Sequence, residues 1–368
     1  MITDTWKSSP KVYIAGAQSR AKTLKGILNY LYPSMKVEGF LVDCLDENES
    51  IIDGISVWER KNNISVDVSC PVFIATKGIH HNDIKQELEE IGFSNIYPIT
   101  SELDNFFRNA YVRKYYKENN KDFARIGEFE AKVISRDMDN DAVIYVAKSI
   151  YDKPLRSNYS APTYEEYIQV GAALTEERLD NINYLDSVGD NISEKNRQYC
   201  ELTALYWIWK NTNNSFAGLA HYRRHFLIPD NWAEIMASNH IDVILPVPTY
   251  VSPNISDNYK ERHIPEDWDY LMEYLETNFR EEYVVASKVF SENLYSPCNM
   301  FIATRDVLEE MCEFIFPIID AVVEHGGTKE DVYMNRYAGF ISERLITLFF
   351  EKNRDRYKIV YADKTFLN

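Results

Sequence analysis

Glycine and proline are scarce, 13 of each in 368 residues, and cysteine numbers five. With 45% hydrophobic residues, that composition excludes general disorder and leaves enough apolar side chains for packed cores. The cysteines, at 44, 70, 200, 298 and 312, are odd in number, scattered and never spaced C-x-x-C, which argues against a disulfide framework or a structural zinc site. Basic residues are in deficit, 40 against 57 acidic ones, for a net charge of −17. A polyanion would be repelled over most of such a surface, so neither wholesale nucleic-acid binding nor anionic-membrane binding is expected. No uncharged apolar run reaches the roughly 18 residues of a membrane span. No basic segment followed by an apolar stretch opens the chain, so no signal peptide is read and a cytoplasmic location is expected.

What is present divides in two. The length suits two ordinary domains. Residues 1–140 carry 18 basic and 21 acidic side chains, and residues 141–368 carry 22 and 36, so the second part holds most of the negative charge. Aromatics make up 14% of the chain, with 26 tyrosines. Tyrosine-rich surfaces suit flat amphipathic ligands such as sugars and nucleobases, although large rings are as readily core.

The first part reads as a small α/β domain over residues 1–100. Lys11–Ala15 is a β-rich run followed at once by Gly16, Ser19–Leu31 has helical spacing, and strands are expected at 37–42, 72–76 and 95–98 with a helix at 83–91. Such alternation implies a parallel sheet with crossover helices. The turn GAQSRA after the first strand keeps only the first glycine of a dinucleotide fingerprint, so no pyrophosphate cradle is expected there. Residues 101–140 read as a helical linker, with the boundary at the polar run 136–141.

The second part, 141–368, carries the chemistry. A buried strand is expected at 142–147. The densest stretch, 184–211, reads as a helix capped near Ser193 and running to about Lys210, with Asp186, Asp190 and Asn191 just before it. FAGLAHYRRHFL (216–227) begins as an apolar strand and then packs His221, Arg223, Arg224 and His225 into five residues. Arginine suits a diphosphate or carboxylate, which it grips through two parallel hydrogen bonds. Adjacent residues of a strand face opposite ways, so one of the two arginines is expected to face a given site. Residues 259–269 read as a polar loop carrying His263, 305–325 as a long amphipathic helix, and 335–350 as another with Glu343 and Arg344 among apolar residues.

Several ordered motifs resemble the bacterial DUF4422 family: IQVGAAL (168–174), GDNISEKNRQYCELTALYWIWKN (189–211), GLAHYRRHF (218–226), YKERH (259–263), CNMFI (298–302) and RYAGFISERL (336–345). The N-terminal part is similar to the Rossmann-like domain of bacterial sugar-acyltransferases, on KVYIAGAQSRA, GFLVD, DGISVW, VFIAT and IGFSNIYPI. The resemblance implies an α/β protein with a Rossmann-like first domain and a GT-A-like glycosyltransferase domain after it. It implies sugar transfer from a nucleotide-diphosphate donor, UDP-galactofuranose in some members, to a glycan or lipid-linked glycan in capsule, O-antigen or exopolysaccharide synthesis.

Such a reaction needs neutralisation of the leaving diphosphate and, in inverting enzymes, a carboxylate base. GT-A enzymes usually hold a divalent cation such as Mn²⁺ on an Asp-x-Asp motif, and here the strand-end position holds His221-Tyr222-Arg223 instead. His221 is one possible metal ligand, and Arg223 or Arg224 is the alternative source of positive charge. On this reading Gln169 and Gly171 line the nucleotide pocket, and Asp186 and Asn191 bind donor hydroxyls. His221, Arg223 and Arg224 hold the diphosphate, Asn299 shapes the acceptor side, His263 joins the substrate contacts, and Arg344 with Glu343 closes the pocket floor. Asp190, Asp267 and Glu343 compete as base, with Asp190 preferred for its place in the densest motif. Two other classes stay open: a non-catalytic scaffold of a polysaccharide-assembly complex, docking partners through its first domain, and a nucleotide-sugar modifying enzyme using both domains.

Overall fold

The computed structural model describes residues 4–46, 48–61, 66–132, 141–156 and 159–367. Two compact units divide the chain, Met1–Lys121 and Asp122–Asn368. The boundary inferred at 136–141 falls, but for Asp141, outside the described residues.

The first unit alternates strands and helices: β1 (Lys11–Ala15), α1 (Ser19–Leu31), β2 (Lys36–Val42), β3 (Ile51–Ile52), β4 (Ile55–Glu59), β5 (Val72–Ile74), α2 (His81–Ile91), β6 (Ile96–Pro98) and α3 (Ser101–Glu118). The sheet order is β3-β4-β2-β1-β5-β6, parallel except for the β3–β4 hairpin. The helix read as part of a linker, α3, instead packs into this unit against α1. Its Phe107 is buried beside Trp6 and Phe73, with ring centroids 5.3 and 5.7 Å apart. Burying those rings is worth more than the polarity of YVRKYYKENN suggests, because the charged positions fall on the opposite face of the helix.

The second unit is an eight-stranded sheet with helices on both faces. Its elements are β7 (Ala142–Lys148), β8 (Glu165–Gln169), β9 (Tyr184–Leu185), α4 (Asn196–Tyr199), α5 (Leu202–Asn211), β10 (Phe216–His221), β11 (Phe226–Leu227), α6 (Trp232–Asn239), β12 (Val243–Pro246), β13 (Thr249–Tyr250), α7 (Ile255–Arg262), α8 (Pro265–Asn278), α9 (Arg280–Val289), β14 (Leu294–Tyr295), β15 (Phe301–Thr304), α10 (Arg305–Gly326), α11 (Tyr337–Lys352) and β16 (Ile359–Lys364). The order is β11-β16-β12-β15-β10-β7-β8-β9. Strands β9, β8, β7 and β10 run parallel, as do β12 and β16, while β15 is antiparallel to both neighbours. Ile144 and Val146 of β7, Ile244, Ile302 and Val360 are buried with Trp232 and Met236 of α6. The near-continuous apolar runs of β7 and β10 are what a sheet covered on both faces requires.

Three local departures from the sequence reading matter for function. The helix expected from Ser193 to Lys210 breaks at Cys200, whose φ is +52°, so α4 and α5 are separate. The break is held by Asn196 Nδ2, which donates to the Cys200 carbonyl at 2.7 Å, and by Arg336 Nε, 3.1 Å from Cys200 Sγ. The polar stretch 259–269 is not a loop but the end of α7 and the start of α8. Asn254 caps α7 through the Asp257 N–H, Pro265 opens α8, and the rings of Tyr259 and Trp268 are buried. Arg223 and Arg224 sit on a turn just past β10 rather than on alternate faces of a strand, with His221 bridged to Arg224.

Candidate functional site

In open parallel sheets the crevice outside the carboxyl ends of the strands is the natural ligand site. Here β7 and β10 end side by side, with Ala147 opposite His221, and the segment entering antiparallel β15 arrives at the same end. Four elements deliver polar side chains to this point: the α4–α5 break supplies Glu201, β10 supplies His221, the turn after it supplies Arg224, and α11 supplies Glu343 and Arg344.

The residues before β15 organise them. Cys298 and Asn299 are consecutive left-handed residues, φ +73° and +51°. That unfavourable backbone aims three groups at once. The Cys298 N–H donates to Glu343 Oε1 at 2.5 Å, and the Cys298 carbonyl accepts from His221 Nε2 at 2.5 Å. The Asn299 amide, 1% exposed, donates to Glu201 Oε1 at 2.8 Å and to the Gly339 carbonyl at 3.1 Å, and its oxygen accepts from Ser342 Oγ at 2.7 Å. Strain of this kind persists where surrounding contacts over-determine it.

The charges follow from burial and neighbours. Burial pushes the His221 imidazole below its usual range, Glu201 pulls it back up, and Arg224 pushes it down again, with a net lowering. A carbonyl can only accept, so Nε2 carries the proton. Burial pushes the Glu201 carboxyl up, while His221, the Asn299 N–H and Arg336 pull it down past the ordinary value. Those two directions compete, because a neutral imidazole supports a carboxylate less than an imidazolium does. The help from Asn299 and Arg336 does not depend on the state of the ring, so we take Glu201 as ionised and His221 as neutral near pH 7. Glu343 is held above the usual carboxylate range by burial, against the pull of Arg344 and of the Cys298 N–H. Asp152, in the loop after β7, is pushed up to about 6 by burial, with Lys148, Arg336 and Glu201 as its charged neighbours.

Positive charge faces the carboxylates. The Arg224 guanidinium makes no hydrogen bond or ion pair with any described residue and lies over the Phe366 ring, 5.3 Å away. Arg224 acts electrostatically on His221, Cys298 and Glu343. Among the described residues Arg336 bonds through Nε alone, to Cys200 Sγ, and it acts on Glu201 and Asp152. Arg223 turns to the C-terminal segment, donating to the Leu367 carbonyl at 3.1 Å. The turn is braced from below by His225, buried, whose Nδ1 lies 3.0 Å from Glu165 and whose ring stacks on Tyr159 with centroids 3.8 Å apart.

Several expected site residues have other work. Asp186 is fully buried and accepts from the N–H groups of Gly171 and Ala172 and from the hydroxyls of Ser193 and Thr203, at 2.5 to 3.0 Å, which leaves it nothing for a donor hydroxyl. Gln169 spends its amide on the Glu177 carbonyl and the Leu179 N–H. Gly171, at φ +67°, fits under Asn196, whose Oδ1 would lie 2.7 Å from an added Cβ. Asn191 braces its own loop through Ser187, Gly189 and Ser193. Asp190, the preferred base, is exposed and clasped by Asn211 and Tyr206 near the far end of α5. The ten residues of α5 separate that end from Glu201 by roughly 15 Å. Asp267 is buried and bonded to Lys329 at 2.8 Å. His263 stacks on Phe340, centroids 4.0 Å apart, and burial with Arg344 and Arg262 pushes its imidazole down to about 3. Arg344 donates to Glu343 Oε2 at 2.7 Å and to the Phe340 carbonyl at 3.0 Å. Glu201, Arg336 and Asp152 were missed; a lone acid between Cys200 and the apolar run LTALYWIW was the available signal for Glu201.

The residues present do not fit a metal centre. Among the described residues no group of three or more His, Cys, Asp or Glu side chains is arranged to hold an ion, and His221 Nε2 is already committed to a carbonyl.

Comparison with known proteins agrees with this architecture. The apo structure of the bifunctional glycosyltransferase WbbM matches at a TM-score of 0.54 and 25% identity, over 62% of this chain and 46% of that one. This chain therefore aligns with less than half of that protein. No curated protein matches. The family described as "Domain of unknown function (DUF4422)" matches residues 144–354. That match covers more than half of the sequence and contains Glu201, His221, Arg224, Asn299 and Glu343, and so the chain belongs to the DUF4422 family.

Proposed function

We propose that this chain is a glycosyltransferase that moves a sugar from a nucleotide-diphosphate donor onto a glycan acceptor. The observation that carries the reading is the cluster at the carboxyl ends of β7 and β10: an ionised Glu201 on which Arg336 acts, and beside it Arg224, acting on His221 and Glu343, both guanidiniums with donors that no described residue takes up. The acceptor hydroxyl hands its proton to Glu201 as its oxygen bonds to the anomeric carbon. The bond from that carbon to the diphosphate oxygen breaks, and the nucleoside diphosphate leaves with the electron pair. Arg224 and Arg336 meet the developing charge with guanidinium N–H donors. Asn299 keeps Glu201 aimed, and His221 fills the space between Glu201 and the Cys298 carbonyl. Glu343, held up by burial, forms the floor with Arg344 and is the second candidate for proton transfer.

Support comes from the WbbM likeness, from the family resemblance and from the side-chain cluster at the strand ends. UDP-galactofuranose as donor, and capsule, O-antigen or exopolysaccharide synthesis as setting, rest on the resemblance alone. Among the described residues no helix is long and apolar enough to cross a membrane. The test is incubation with a panel of nucleotide sugars, with and without Mn²⁺ and EDTA, reading nucleotide release. Release that persists in EDTA and falls in Arg224→Ala is expected. No release from any donor, with no binding of nucleotide sugars by thermal shift, favours the scaffold reading instead.

A further inference from the structure

Between α10 and α11 the chain presents two large apolar side chains to solvent, Val332 at 82% and Tyr333 at 52% exposure. They are not loose. The loop is pinned by Asp331, which accepts from the Met334 N–H at 2.8 Å, and by Asn335, which accepts from the Lys329 N–H at 2.9 Å. Behind Tyr333 lies an aromatic stack. Its ring centroid is 5.1 Å from Phe340 and 6.1 Å from His263, and His263 in turn stacks on Phe340. An exposed ring backed by two others is a rigid, pre-ordered surface, which lowers the entropy cost of binding against it.

Its surroundings connect it to the crevice. Arg336 lies over Phe340, 6.0 Å from the ring, bonds Cys200 beside Glu201, and interacts electrostatically with both Tyr333 and Glu201. On the other flank Arg344, bonded to Glu343, faces His263. The buried Nδ1 of His263 has no hydrogen-bond partner among the described residues. An open aromatic face next to charged hydrogen-bonding groups is the pattern that recognises a saccharide: the ring takes the C–H face, and the polar groups take the hydroxyls.

We propose that the Tyr333 shelf, with Val332 and Arg336, is the subsite for the acceptor saccharide, holding one sugar ring so that a hydroxyl reaches Glu201. This rests on the transferase reading for its biological meaning, but its binding chemistry is testable alone. Saturation-transfer NMR is recorded on the full chain with methyl glycosides of galactose, glucose and mannose as probes. Tyr333→Ala is compared with Tyr333→Phe; the position is exposed, so both variants are expected to fold. At least one glycoside should receive saturation on its ring C–H protons from wild type. The signal should fall at least fivefold in Tyr333→Ala and persist in Tyr333→Phe. No transfer to any glycoside from wild type, equal transfer in Tyr333→Ala, or loss in Tyr333→Phe overturns the shelf. Loss of nucleotide-sugar binding in Tyr333→Ala with glycoside binding intact also overturns it, since the shelf would then hold the donor. Nucleotide release measured on the same samples separates the two ideas: glycoside binding without release from any donor sinks the transferase reading and leaves the shelf standing.

Discussion

Asn299 offers the sharpest perturbation, because its buried side chain joins three groups from a strained backbone. Asn299→Ala removes the bonds to Glu201, the Gly339 carbonyl and Ser342. Each buried partner left unsatisfied costs about 1–3 kcal/mol, and Glu201 is partly rescued by solvent and Arg336, so a net loss of about 3 kcal/mol is expected. The backbone adds a second handle. At φ +51° an alanine Cβ is unfavourable by about 1–2 kcal/mol, whereas glycine avoids that strain but loses more entropy on folding. Asn299→Gly should therefore be as stable as Asn299→Ala or better by up to about 1 kcal/mol, although it removes even more of the side chain. Both should lose about a hundredfold in turnover, because an unanchored Glu201 can drift by about 1 Å. Asn299→Asp keeps the shape but sets a second carboxylate against Glu201, so the acid limb of its pH–rate profile should move upward. Urea unfolding and nucleotide release measure these effects. A clear stability advantage of Asn299→Ala over Asn299→Gly would refute the left-handed backbone, and wild-type turnover in both would refute the positioning argument.

Four further outcomes follow from the same geometry. Asp152, raised to about 6 mainly by burial, is a carboxylic acid whose folded pKa exceeds its unfolded one, so stability is full below about pH 4 and falls as pH rises to about 6. Asp152→Asn should match wild type at pH 3.5 and exceed it by about 1–2 kcal/mol at pH 8, measured by denaturant unfolding at both values. Gly171→Ala, which combines a positive φ with an added Cβ 2.7 Å from Asn196 Oδ1, should lower stability by about 2–4 kcal/mol and reduce Tm accordingly. Asp190→Asn, at an exposed clasp, should stay within about 0.5 kcal/mol of wild type in unfolding and keep near-normal turnover, the opposite of what the densest motif suggested. Arg224→Ala should raise the donor KM about tenfold or more with little change in Tm, since among the described residues the guanidinium supports no fold contact beyond the Phe366 ring.

Much of the sheet was legible because strands covered on both faces must be apolar throughout, and AVIYVA and FAGLA announce themselves that way. The motif order also marked the right half of the chain. What the residues could not reveal was direction. The run from Ser193 to Lys210 has helical composition throughout, yet it breaks at Cys200, where Asn196 holds the Cys200 carbonyl from within the segment and Arg336, from far along the chain, meets the Cys200 thiol. Asp186 and Asp190 look alike in sequence, yet one is a buried hub with four donors and the other an exposed clasp. Likewise Arg223 and Arg224 were separable only once the turn gave one to the Leu367 carbonyl and left the other with no hydrogen-bond partner among the described residues. Long-range hydrogen bonds decide which polar residue is structural and which is free, and no local pattern encodes them.

The most direct measurement is single-turnover nucleotide release by Glu201→Gln, with donor affinity taken on the same protein. Gln keeps the volume and the bond from Asn299 but cannot take a proton at neutral pH. A fall of about 10²–10⁴ in the chemical rate with donor Kd within about threefold of wild type is predicted. A rate within about fivefold of wild type would contradict the assignment of Glu201 and move the proton-accepting role to Glu343.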